Sequence, residues 1–208
     1  MQTEIQNLAL VQWRPATGDD FPTEIHDSET VVFYDFIERG LALPPSDFLR
    51  AVLNFYGIEL IHLTPGSILN LSIFAHLNEA YLGIPPNVAL FRHFFVLKPI
   101  PRQKSPALIG GASFERRDGF GAEFLDYIPN ALNSDWKQSW MYIGNHAPSH
   151  PKRTGRRPEY LESWSEEPEE PKFVSSLVLK VLALKKAGLS GHSVMYDWLR
   201  RWIQPKIF

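Results

Sequence analysis

A chain of 208 residues, 44% of them hydrophobic and including 14 Phe and 6 Trp, has the length and apolar content to bury a sizeable core. Its formal charge of −2 and isoelectric point near 6.4 give no global attraction for phosphate, so any nucleic acid would have to be held by a local patch. The absence of cysteine excludes disulfides, thiol chemistry and thiolate zinc sites, and is compatible with a reducing compartment, cytoplasmic or nuclear.

The first residues carry no basic segment followed by an apolar one, and no run approaches the roughly 18 apolar residues of a membrane span. A soluble chain with no membrane partner is expected. Residues 1–27 hold one short apolar cluster and then Pro15, Gly18, Asp19, Asp20 and Pro22, which reads as an N-terminal arm. From Ser28 the stretch SETVVFYDFIERGLALPP places Val32, Phe33, Phe36 and Ile37 at helical spacing and predicts a helix stopping at Gly40, although Val31 to Tyr34 alone also fit a strand.

Ser46 is the predicted cap of a second helix, SDFLRAVLNFYG, with Phe48, Leu49, Val52, Leu53 and Tyr56 on one face and Gly57 as its stop. IELIHL reads as an extended bridge. Thr64 and Pro65 then start a long helix running through Leu82 to Gly83, whose apolar residues occupy most of its circumference and mark it as central. PPNVALFRHFFVLKP repeats the proline start and predicts a further helix ending at Pro99. These short-looped helices predict a compact helical core.

Beyond Pro99, GGASFERRDGFGAEFLDYI and WKQSWMYIGN are aromatic and broken by glycine, which predicts one small antiparallel sheet of two or three strands. Trp136, Trp140, Met141 and Tyr142 are expected to fasten it to the helices. Residues 148–171 contain four cations, Lys152, Arg153, Arg156 and Arg157, followed by six glutamates, with five prolines and few aliphatics. That composition predicts a linker. A C-terminal helical pair follows, one helix closing at Gly188 and the next running from Ser190 toward Pro205 with Val194, Trp198 and Trp202 on one stripe. The predicted fold class is α+β, mainly helical, with an arm at 1–27, a domain at 28–147, a linker at 148–171 and a helical pair at 172–208.

Several of these segments, taken together, carry a family resemblance. Glu38 to Gly40, Phe55 to Gly57, His62 to Leu69 and Leu82 to Arg92 stand where the gypsy-type transposon domain family of plant genomes has its E-R-G-x-x-L-P, F-Y-G, H-L-x-P-x-S-I-L and L-G-I-x-P-x-x-x-L-F-R blocks. SDWKQSWMYI resembles that family's paired-aromatic segment. LALKKAGLSGHSVMYDWLRRWIQP resembles its closing stretch, with Trp202 intervening before Ile203, so the resemblance spans residues 28–205. It implies derivation from long-terminal-repeat retrotransposons and a looser similarity to plant mobile-type domains, with no catalytic residue set and no cofactor.

The residues also bear on chemistry in their own right. A metal-dependent transposase needs three carboxylates around two divalent ions, the first on a central strand. Asp35, Glu38, Asp47 and Glu79 instead fall on predicted helices, and Glu115, Asp118, Glu123 and Asp126 in the small sheet. His76 and Glu79 share a helix face, and His62 and His93 are candidates to approach one another, yet no H-E-x-x-H pattern accompanies them. Gly119 and Gly121 lack the third glycine of a nucleotide loop, and Ser67 and Ser113 have no nucleophile signature. No catalytic or metal residue is therefore assigned. FYGIELIHLTPGSILNL superficially suggests a helix-turn-helix. Two surfaces remain as candidates. Trp198, Arg200, Arg201 and Trp202 are the expected contacts of a protein–protein or self-association module. Arg116, Arg117, Lys152, Arg153, Arg156 and Arg157, near Lys98, Arg102 and Lys104, are the alternative nucleic-acid face. The glutamates that follow compete for the same cations.

Overall fold

The computed structural model describes residues 13–15, 29–101, 106–126, 135–144, 155–169 and 172–203. The first element, β1 (Trp13–Pro15), is an edge strand, so the predicted arm contributes to a sheet. β2 (Glu29–Phe33) follows, then the short helix α1 (Tyr34–Glu38). The predicted helix from Ser28 is therefore a strand joined to one helical turn. Val31, Val32 and Phe33 are buried in succession, as a strand covered on both faces requires and an amphipathic helix does not.

α2 (Asp47–Tyr56) matches its signals: the Ser46 hydroxyl accepts from the Leu49 amide at 3.2 Å, and Gly57 closes the helix at φ 62°. The expected extended bridge after it is a 3₁₀ turn, Leu60–His62. α3 (Pro65–His76) starts on the Thr64 hydroxyl, which accepts from the Ser67 amide at 3.3 Å. Past His76 it widens into a π-helical turn, Leu77–Leu82. There buried Asn78 donates its amide to the Phe74 carbonyl at 2.7 Å, taking an acceptor that helical backbone would use. α4 (Val88–Phe94) is capped by Asn87, whose side chain accepts from Ala89 and Leu90 at 2.9 and 3.2 Å.

The helix expected to reach Pro99 ends at Phe94. Phe95–Pro99 is β3, paired antiparallel with β4 (Ala112–Arg116) from Phe95 opposite Arg116 to Pro99 opposite Ala112. A bulky run ahead of a proline favours extended backbone, and Phe95, Val96 and Leu97 are all buried. β5 (Trp140–Gly144) does not join them. It is the centre of a separate sheet, ordered β1-β5-β2, in which Phe33 faces Trp140 and Trp13 faces Ile143, both pairings antiparallel. The described residues thus form two small sheets where one was expected.

The segment predicted as a linker is packed over residues 155–169. A 3₁₀ turn, Glu162–Trp164, puts the Trp164 indole in the core at 0% exposure, its Nε1 donating to the Tyr56 carbonyl at 3.1 Å. Pro158 and Pro168 are buried on either side. One tryptophan offsets an otherwise polar composition, since burying so large a ring yields several kcal/mol, of order 3–5 on removal. α5 (Lys172–Lys186) and α6 (Gly191–Trp198), which continues as a π-helical turn to Ile203, complete the chain. A column of rings crosses the centre: Phe48 on Phe74 at 5.5 Å, Phe74 on Phe91 at 5.1 Å, Phe91 on Phe95 at 4.8 Å and Phe95 on Phe124 at 5.1 Å. Trp136 joins Phe33 and Phe36 at 4.8 and 5.6 Å, the fastening expected of it.

Candidate interaction surface

The candidate residues of the last helix divide between an inner and an outer face. α6 is placed by Trp198, which is 4% exposed and enters a notch beside Gly40 and Ser72. Gly40 has φ 98°, and a Cβ there would collide with the Trp198 ring and lie 2.7 Å from the Ser72 hydroxyl. Trp198 is thus committed to the chain's own core. Beside it the Asp197 carboxylate accepts from His76 Nε2 and Arg201 Nε, both at 2.9 Å. Those two donors, His76 first, hold Asp197 below the ordinary aspartate range, while burial raises the Tyr81 hydroxyl, with Asp197 adding to the shift. Arg201 is therefore engaged; Arg200 is exposed. The Trp202 side chain lies outside the described residues.

Exposed apolar side chains are Phe173 and Leu179 on α5 and Tyr196 and Leu199 on α6 and the turn after it, with Leu179 67% and Tyr196 70% exposed. Exposed Lys172, Lys180, Lys186 and Arg200 stand among them. Between the π-helical turn after α3 and α5 is a groove of about 320 Å³, lined by Tyr81, Leu82, Lys180, Ala183 and Leu184.

Of the cations proposed as a phosphate face, Arg116 and Arg117 are engaged within the chain itself. Arg117 is 8% exposed, and its guanidinium donates to the carbonyls of Arg92 at 3.0 Å, Ser165 at 3.0 Å and Glu166 at 3.2 Å. Burial lowers its pKa, against the opposing influence of Tyr56. It is a brace that pins residues 165–166 to the core. Arg116 donates to Asp126 at 3.0 Å and to the Leu125 carbonyl at 2.6 Å, and Lys185 meets the same carboxylate at 3.2 Å. These hydrogen bonds, that of Arg116 first, depress Asp126. Lys98 pairs with Glu115 at 3.2 Å. Arg156 and Arg157 are exposed, the Arg156 carbonyl accepting from His62 Nε2 at 3.0 Å. Lys152, Arg153, Arg102 and Lys104 lie outside the described residues. The helix-turn-helix suggestion also fails, because its second helix is α3, buried on nearly every side and unable to enter a groove of DNA.

The groups weighed for catalysis are dispersed. His62 bonds the Glu59 amide and the Arg156 carbonyl, His76 bonds Asp197, and His93 bonds Glu123 at 2.9 Å, so His62 and His93 serve different contacts. Among the described residues no three His, Asp or Glu side chains converge as a metal site. Ser67 and Ser113 do meet, with hydroxyls 3.4 Å apart and Thr64 beside both, but the Ser67 oxygen accepts from the Phe114 amide and the cluster ties α3 to β4. Sequence reasoning missed the strap of residues 155–169 and the Gly40 notch. A lone tryptophan amid glutamates and prolines was the available signal for the first; the second had none, because its partners are distant in sequence.

The architecture is a mainly helical α+β fold with an outward apolar and cationic helical face and no helix among the described residues long and apolar enough to cross a membrane. Residues 31–99, about a third of the chain, match the model of the family described as "Putative gypsy type transposon". The match takes in α1 to β3 and stops before the paired-aromatic and C-terminal segments. No curated protein and no solved structure matches the chain.

Proposed function

We propose that the protein is a non-catalytic, transposon-derived interaction module that acts by self-association or by binding another protein. The observation that carries this reading is the outer face of α5 and α6. Large apolar side chains stand open to solvent on α5, whose Val174, Val178 and Val181 are buried, and on α6 and its π-helical turn, held by Trp198 and the His76–Asp197–Arg201 contacts. Exposed apolar side chains, with the exposed cations Lys172, Lys180, Lys186 and Arg200 on the same elements, fit a docking surface. Sedimentation equilibrium of the full chain tests it: a mass that rises with concentration, and that falls back to one chain in Leu179→Ser and Tyr196→Ser variants, supports the reading. Nuclease turnover with magnesium or manganese that disappears on carboxylate substitution would overturn its non-catalytic part.

Nucleic-acid binding is the second reading, favoured by one feature. Residues 172–203 carry Lys172, Lys180, Lys185, Lys186, Arg200 and Arg201 against a single carboxylate, Asp197. Titration of labelled single and double strands across salt separates the two, because phosphate contacts give an affinity that falls steeply as salt rises. Binding that is absent at low salt, or indifferent to salt, rejects this second reading.

A further inference from the structure

The geometry points to a head-to-tail contact between copies of this chain, in which Leu161 of one copy enters the Tyr81–Leu82–Leu184 groove of the next. The inference rests on the self-association half of the reading above and names its two surfaces. On one side, Leu161 is 44% exposed and sits between the exposed carboxylates Glu159 and Glu162. Its backbone is extended, and three residues further on Trp164 is buried completely, held by its bond to the Tyr56 carbonyl. The Arg117 brace fixes the carbonyls of residues 165 and 166. Leu161 is thus an apolar knob on an anchored platform, presented without further ordering cost.

On the other side, the groove has the complementary chemistry. Its walls are the apolar faces of Tyr81, Leu82, Ala183 and Leu184; Lys180 stands at its lip, and Lys186 lies one turn past Ala183. α5 carries no carboxylate, and the π-helical turn opposite carries one, Glu79. The strap, in turn, has Glu159, Glu162, Glu166, Glu167 and Glu169 on its exposed surface. A leucine flanked by two carboxylates therefore meets an apolar slot flanked by two lysines. The charges supply register and steering, and the leucine supplies the desolvated centre. Leu179, next to the lip and 67% exposed, extends the apolar contact. Because knob and groove are different patches, the contact is heterologous and propagates from copy to copy unless a ring closes.

The test uses the full chain in sedimentation equilibrium, with Leu161→Glu removing the knob and Ala183→Glu, at an exposed position, placing a carboxylate in the groove. The wild type is expected to show a mass rising with concentration, and each variant alone to associate at least about tenfold more weakly. An equimolar mixture retains one intact knob and one intact groove, so it forms complexes of two copies and none larger. Reversing the charges together, Lys180→Glu with Glu162→Lys, restores association that Lys180→Glu alone weakens. Wild-type association that neither variant changes overturns this contact while leaving self-association standing. A wild type that stays a single chain at every concentration overturns the contact and self-association together, leaving a different protein or a nucleic acid as partner. Unchanged mass combined with Lys180-dependent, salt-sensitive binding to a labelled oligonucleotide overturns it in favour of nucleic acid.

Discussion

Three single residues hold the C-terminal half of the chain against the rest, and each acts through a different force. At Gly40 the constraint is steric. Gly40→Ala places a side chain at φ 98° and drives it into Trp198, so the backbone penalty and the overpacking add to a loss of about 2–5 kcal/mol. Urea unfolding followed by tryptophan fluorescence should show the lowered midpoint, with a red-shifted native spectrum as Trp198 leaves its notch. At Arg117 the force is hydrogen bonding to backbone. Arg117→Met leaves the carbonyls of Arg92, Ser165 and Glu166 without this donor and is expected to cost about 2–4 kcal/mol. A variant as stable as the wild type, but weaker on nucleic acid, would show that the guanidinium serves phosphate instead. At Asp197 the force is charge. Its pKa is depressed in the folded chain, so its contribution to stability is present above the ordinary value of 3.8 and is lost as pH falls through and below it. Asp197→Asn is expected to be less stable near neutrality and to lose less on acidification below pH 3.8 than the wild type does, read as denaturation midpoints at each pH.

At the scale of elements, the strap 155–169 shows where composition misleads. Five prolines and six glutamates between residues 148 and 171 outweigh one tryptophan in any average, yet that ring makes the contact that orders the segment. Trp164→Ala is expected to destabilise the chain by about 3–5 kcal/mol. It should also open residues 155–169 to limited proteolysis ahead of the rest, the cleavage pattern being the measurement. Elements whose instructions are local were legible in advance: Ser46, Thr64 and Ser190 cap the helices they precede, and Gly57 and Gly83 close two of them. What was not legible depends on distant partners. Phe95 to Leu97 follow a helix with no break in hydrophobicity, and only pairing with Ala112–Arg116 makes them a strand. β5 was expected beside β4, but its partners are Glu29–Phe33, more than a hundred residues earlier, and no periodicity records that pairing. The same limit applies to the interaction surface: the stripe Val194–Trp198 announced that α6 must dock, but which side it would bury depended on a notch at Gly40.

Over the whole molecule, the question is whether residues 28–147 and 172–208 are separate units joined by a tether. A single buried cluster runs from Val31 through Phe74, Phe91 and Trp164 to Val174, Val181, Val194 and Trp198, so the two regions share one core. Removing residues 172–208 strips the cover from Gly40 and His76 and from the packing of α5 against α4, and exposes apolar surface that water penalises at about 25 cal/mol per Å². The shortened chain is therefore expected to lose fixed tertiary packing: near-ultraviolet circular dichroism should collapse while far-ultraviolet signal persists, with strong binding of a hydrophobic dye. The intact chain should melt in one transition, with calorimetric and van't Hoff enthalpies in agreement. Two resolved transitions in the intact chain, or a truncated chain that unfolds cooperatively with native near-ultraviolet signal, would make residues 28–147 an independent domain. The helical pair would then be an appendage able to exchange between copies, and the outward face of α5 and α6 would have to be sought on its own in solution.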